Sequence, residues 1–140
     1  MEYIMWIYNG KEIGDDEVES YASFVYIITN LENNKRYIGK KIFKTIRRQK
    51  VKGKVRKKKV EKESDWKSYF GSNLVLLRDV EELGQTRFRR EIVKLCKTRG
   101  TASYWEAKLQ MQYEVLEKPD EFYNEWVMVK VHRSHLKLDK

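Results

Sequence analysis

The apolar positions of the chain change period along its length, and the changes outline its elements. Residues 3–8 (YIMWIY) form an apolar run that stops at Asn9-Gly10, a dipeptide suited to a two-residue hairpin turn. Residues 11–13 read as the return strand, and 15–21 as a polar connector or short helical turn. Residues 24–28 (FVYII) are apolar throughout and bounded by Asn30 and Asn33-Asn34, the pattern of a central strand. Residues 36–38 follow as the next strand, closed by Gly39. From Ser72 the period turns helical: Leu74, Leu77, Val80 and Leu83 share a face, with Ser72 placed to cap and Gly84 to terminate. Residues 87–96 (RFRREIVKLC) alternate imperfectly and read as a strand. A second helix starts at Thr101 or Ser103 and runs to about Leu116, turning Ala102, Trp105, Leu109, Tyr113 and Leu116 inward. Pro119 stops the next turn from continuing it, and residues 126–131 (WVMVKV) read as a last strand. This order predicts an α+β domain with a small, mostly antiparallel sheet flanked by helices.

Composition adds a partner class. The 140 residues argue for a single domain spanning 1–140, with 1–21 as a hairpin extension and 40–62 as a basic loop insertion. No apolar stretch approaches the roughly 20 residues of a bilayer span, and no basic and apolar leader follows Met1. One cysteine, Cys96, excludes an internal disulfide framework and a multi-cysteine zinc site. The expectation is a cytoplasmic, basic globular protein, with monomer and homodimer both open. The formal charge of +9 is local: residues 40–59 (KKIFKTIRRQKVKGKVRKKK) hold twelve Lys/Arg and no acid, leaving 18 basic against 21 acidic side chains elsewhere. A near-neutral body with one positive strip suits phosphate-backbone binding through counterion release. Its candidate contacts are Lys40, Lys44, Arg48, Lys50, Lys52, Lys54, Arg56, Lys57, Lys58 and Lys59, on a long loop or ribbon. A solvated basic loop is the plain alternative.

Tyr26 and Tyr37 fall on consecutive strands. A four-residue turn at 31–34 sets Asn30 opposite Lys35 and Ile28 opposite Tyr37, so Tyr26 shares a face with Tyr37 as its diagonal neighbour. The segment from Val25-Tyr26 to Tyr37-Ile38-Gly39-Lys40, with ten residues between the tyrosines, resembles the signature of the GIY-YIG nuclease family. Phe24 stands where that family usually has glycine. Arg47 and Arg48, a helix carrying Glu106, and Asn124 follow in the family's order, so the resemblance spans about residues 23–126. Ser64-Asp65-Trp66, the Tyr69–Ser72 turn and the Phe122–Trp126 segment look most like small Seg-type endonucleases encoded by bacteriophages.

The resemblance implies a metal-dependent DNA endonuclease acting in the host bacterial cytoplasm. One divalent ion, Mg²⁺ by expectation, would be held by Glu106, with Tyr26 as general base and Tyr37 supporting it or touching the phosphate. Phenol ionises near pH 10, so Lys40, Lys41 and Arg47 are expected to favour phenolate. Arg47 fits the family spacing for a phosphate-holding arginine, with Arg48 adjacent. Asn124 would hold a phosphate or turn the backbone. Glu106 has a rival reading in Ser103-Tyr104-Trp105-Glu106, a capping-box pattern. Trp66 and Trp126 could stack on bases or pack. His132 and His135 lack a third ligand nearby and read as surface residues, and Cys96 as a core thiol. The alternative to an enzyme is a non-catalytic nucleic-acid binder on the same scaffold, or a module that grips an acidic partner.

Overall fold

A computed structural model describes residues 2–50, 52–53, 57–129 and 132–135, with 46–50 and 57–59 described by backbone alone. The N-terminal hairpin forms as its turn dipeptide demands. β1 (Ile7–Tyr8) pairs with β2 (Lys11–Glu12), and Asn9 and Gly10 take φ of 51° and 78°. The strand is shorter than the apolar run that precedes the turn; Trp6 still accepts from the Ile13 amide across the hairpin at 3.0 Å while its side chain enters the core. One helical turn, α1 (Asp15–Val18), follows.

Five strands lie in the spatial order β2-β1-β7-β3-β4, with β3 at Ser23–Asn30, β4 at Arg36–Ile42 and β7 at Phe88–Cys96. All pairs are antiparallel except β1 with β7. The expected α+β class with a mostly antiparallel sheet holds. Every residue of β3 is buried, because the strand is covered on both faces. One face carries Trp6, Phe24, Tyr26, Ile28, Phe43 and Trp66; the other packs Val25, Ile27 and Ile38 against α3 (Arg99–Gln112). The uneven alternation of β7 is a bulge. Val25 faces Lys94 but Tyr26 faces Ile92, so Val93 is the extra residue, and Leu95 rejoins Ile92 on the aromatic face.

Arg90 is fully buried on that face with its guanidinium 4.6 Å from the Trp6 ring and 4.3 Å from Phe70. It donates to the Tyr69 carbonyl at 2.8 Å and to the Ile4 carbonyl. Burial lowers its pKa to about 10, so it stays charged at neutral pH. The N-terminal segment and the Tyr69 turn are thereby tied to the sheet through one side chain.

Several expected boundaries move. α2 (Leu74–Leu83) is capped by Asn73, whose side chain accepts from the Leu76 amide at 2.9 Å; Ser72 is engaged by Tyr37 instead. Its inward stripe is Leu76 and Val80, while Leu74, Leu77 and Leu83 are exposed. α3 begins earlier than expected, with Thr98 as its cap accepting from Thr101. Gly100, a poor helix former, hides this start in the sequence, yet a Cβ there would lie 2.9 Å from the Cβ of His135. The helix ends at Gln112, and Glu114 takes a positive φ of 55° that turns the chain and buries Val115. Tyr113 and Leu116 are therefore not part of its buried face.

No strand forms over 126–129, and residues 130–131 lie outside the described residues. Of the two readings of the basic strip, loop or ribbon, its described residues take the ribbon. β5 (Lys44–Lys50) and β6 (Lys57–Glu63) make a separate two-stranded sheet, while Lys40 and Lys41 belong to β4. Its base is pinned by Phe43, buried 4.5 Å from the Phe24 ring and 5.1 Å from Trp66.

Candidate active site

β4 is the edge of the five-stranded sheet, and side chains rather than a further strand close it. Ile38 donates to Asn124 Oδ1 at 3.0 Å, and its carbonyl accepts from Asn124 Nδ2 at 2.8 Å and Gln110 Nε2 at 3.0 Å. Arg36 exchanges backbone bonds with Glu121 and Tyr123. The Lys40 amide donates to the Glu106 carboxylate. An edge that would otherwise offer free donors and acceptors is thus consumed by the 121–124 segment and α3. The last bond in that series matters most, because it ties Glu106 to the rim of the sheet.

Tyr26 and Tyr37 come from the opposite, aromatic face. The register sets Ile28 opposite Tyr37 and Tyr26 opposite Gly39, as the four-residue turn requires, and the two rings lie 6.2 Å apart. Gly39 has no side chain, and that lets the Tyr26 ring reach the edge. A Cβ there would sit 2.7 Å from Tyr26 Cζ and 3.1 Å from the Tyr37 ring. The Tyr37 hydroxyl meets Ser72 Oγ at 3.2 Å, and Tyr69 stacks edge-on to Tyr26 at 6.0 Å. The result is a cavity of about 670 Å³ lined by Tyr26, Tyr37, Lys40, Tyr69, Ser103 and Glu106, with Trp126 at its mouth.

The electrostatics correct one expectation. Burial pushes the Tyr26 phenol well above its ordinary value, and Tyr69, Tyr37 and Glu106 add to the rise. Tyr37 is raised for the same first reason, partly offset by Ser72. Among the described residues no lysine lowers either phenol, and the Arg47 side chain lies outside them. Lys40 spends its charge on Glu106 and its ammonium on Ser103 Oγ, at 2.6 Å. Lys41 pairs with Asp65 at 2.5 Å and lies 4.2 Å over the Tyr69 ring. Burial also raises the Glu106 carboxyl, against the opposing pull of the Lys40 charge and amide.

The capping reading of Glu106 is removed, since Thr98 caps α3 and Glu106 lies two turns inside it. The remaining candidates are spread differently. Asn124 is buried with its amide spent on Ile38, so it closes the strand edge beside the cavity rather than facing into it. Arg47 and Arg48 stand on β5, opposite Val60 and Lys59, with side chains outside the described residues. The same holds for Lys50, Lys57, Lys58 and Lys59, while Lys54 and Arg56 lie outside altogether. Lys44 donates to the Glu19 carbonyl at 3.2 Å, and Lys52 is exposed. His132 and His135 are exposed, Cys96 is buried, and Trp66 is buried in the core. Tyr69, Ser72, Ser103 and Gln110 were not named as site residues by sequence reasoning, which read Ser72 and Ser103 as helix caps. Only the Tyr69–Ser72 turn formers pointed that way.

Among the described residues no group of three or more His, Cys, Asp or Glu could hold a metal. Glu106, a half-buried carboxylate facing the cavity, fits a hard divalent ion that takes one protein oxygen and keeps water and phosphate for the rest.

The edge of this α+β domain thus gathers two strand tyrosines and one helix glutamate around one cavity. A family model described as "Putative endonuclease segE, GIY-YIG domain" matches residues 6–127, and the chain belongs to the GIY-YIG nuclease family, in its Seg-type group. No curated protein and no solved structure matches it. Among the described residues no helix is long and apolar enough to cross a membrane.

Proposed function

We propose that the protein is a metal-dependent DNA endonuclease, with Tyr26 as general base and Glu106 as the protein ligand of a single Mg²⁺. The observation that carries this reading is the convergence of Tyr26, Tyr37 and Glu106 on one cavity from opposite faces of an edge strand. The reaction transfers a water oxygen to phosphorus, breaks the bond to the leaving oxygen, which takes a proton from solvent, and delivers the water proton to the Tyr26 phenolate. A divalent ion bound at Glu106 supplies charge neutralisation on the phosphate and the leaving oxygen. Tyr37, held by Ser72, positions Tyr26 and offers its hydroxyl to the phosphate. A Glu106 whose charge is neutralised no longer opposes ionisation of Tyr26, but burial, the first cause of the rise, remains, so the phenolate is a minor form that grows as pH rises.

The β5–β6 ribbon holds the substrate. Its register sets Arg48 opposite Lys59 and Lys50 opposite Lys57. Like charges at facing positions cost stability in a strand pair unless a polyanion offsets them. Removing three of its cations lowers the log–log salt slope of duplex binding by roughly three.

Conversion of supercoiled plasmid tests the reading. Wild type nicks or linearises it with Mg²⁺ and not with chelator, while Glu106→Ala and Tyr26→Phe lose cleavage and keep binding. Binding without product under any divalent ion would leave a nucleic-acid-binding scaffold. Unchanged cleavage in both variants would eliminate the assigned roles.

A further inference from the structure

Among the described residues after Asn124, three apolar side chains stand in solvent. Trp126 is 77% exposed, Met128 79% and Val129 56%. Among the four tryptophans the contrast is plain: Trp6 and Trp66 are buried, Trp105 is half-buried on α3, and Trp126 stands in water. An exposed indole forgoes the largest burial gain any side chain has, so its place needs a reason. Trp126 is not on a loose tail. Asn124 is bonded to Ile38, Asn73 donates to the Tyr123 carbonyl at 2.9 Å and to Glu125 at 3.3 Å, and Val127 packs against the α3 face. The backbone on either side of Trp126 is therefore held while its indole projects. That indole lines the mouth of the cavity that contains Tyr26, Tyr37 and Glu106, and a neighbouring cleft of about 250 Å³ with Ser72 and Asn73.

We infer that Trp126 is a base-stacking platform beside the reacting phosphate, and that the preferred substrate is DNA with an unstacked or unpaired base next to the cut. The inference rests on the nuclease reading for the position of the phosphate, and its occupant is one nucleobase. A flat aromatic face binds any base, which suits selection by DNA structure rather than by sequence. The preorganised backbone means little ordering is needed on binding. An unpaired base costs less to extrude than a paired one, so the platform discriminates in favour of distorted duplexes.

The test uses the full chain, a fully paired duplex and the same duplex with one unpaired base. Without divalent ion, the unpaired-base duplex quenches an emission component of wild type that Trp126→Phe lacks. Trp126→Ala loses about tenfold in affinity for that duplex, the scale of one stacked base, and much less for the paired one. With Mg²⁺ the same variant raises KM on the unpaired-base duplex and leaves kcat nearly unchanged, and Trp126→Phe recovers most of the KM. Equal affinity and KM for Trp126→Ala and wild type would overturn the inference. So would a Trp126 emission change that follows protein concentration without DNA, which would give the surface to a second copy. Quenching with no cleavage by wild type would fail the nuclease reading alone.

Discussion

The two faces of β4 treat their reactive groups differently. On the aromatic side Tyr26 is wrapped by Trp6, Phe24, Tyr37 and Tyr69, and every neighbour that acts on its ionisation acts to oppose it. On the helical side Glu106 also suffers burial, but the Lys40 amide and ammonium pull the other way. One face stores an acid that holds its proton; the other stores a carboxylate kept partly compensated. The difference is what the proposed roles draw on. A compensated carboxylate can release its partners to a stronger cation, whereas among the described residues no cation offsets the burial of the phenol.

The largest effect should come from Glu106→Gln. Cleavage falls by about a thousandfold, while stability at pH 7 does not fall. The sign follows from the raised carboxyl: the folded state binds more protons than the unfolded one above the ordinary glutamate value. The stability associated with that proton is present at low pH and lost as pH rises through the folded pKa. Glutamine ends that loss, so thermal melts at pH 7 should show a Tm at or above wild type. A markedly lower Tm would mean that Glu106 is a structural strut.

Gly39→Ala attacks the opposite face. Its new Cβ would crowd the Tyr26 and Tyr37 rings, costing about 1–3 kcal/mol of stability and shifting both phenols. Denaturant unfolding together with plasmid cleavage checks this, and a silent substitution would show that the rings have room to move. The smallest effect belongs to Lys40→Met. Losing the ammonium raises Glu106 further, so the acid limb of the cleavage profile moves to higher pH, with a few-fold loss below neutrality and little above it. An unmoved limb would separate Lys40 from Glu106.

Much of this arrangement was legible from local rules. The Tyr26–Tyr37 pairing follows from a period of two and a four-residue turn, and both survive in the register. The Asn9-Gly10 hairpin follows from backbone sterics alone. Glu106 could be placed on a helix, but its choice between cap and ligand turned on where the helix starts. Gly100 concealed that start, since the chain needs glycine there to let His135 approach. The closing of the β4 edge was not legible. It depends on Asn124 and Gln110 reaching backbone 86 and 72 residues away, and no spacing rule relates them. Residues 126–129 resemble a strand in composition, but the sheet edge that would receive them is occupied by those side chains. The bulge at Val93 likewise appears only when β3 and β7 are paired.

The central claim is that a buried, protonated Tyr26 becomes the base. Its most direct test is the pH dependence of single-turnover cleavage with saturating Mg²⁺, wild type against Tyr26→Phe. A phenol held above its ordinary value predicts a wild-type rate that climbs about tenfold per pH unit through neutrality toward the alkaline limit, and a Tyr26→Phe rate that is at least about a hundredfold lower and nearly flat. The same slope in both proteins would contradict the account and move the base elsewhere in the cavity.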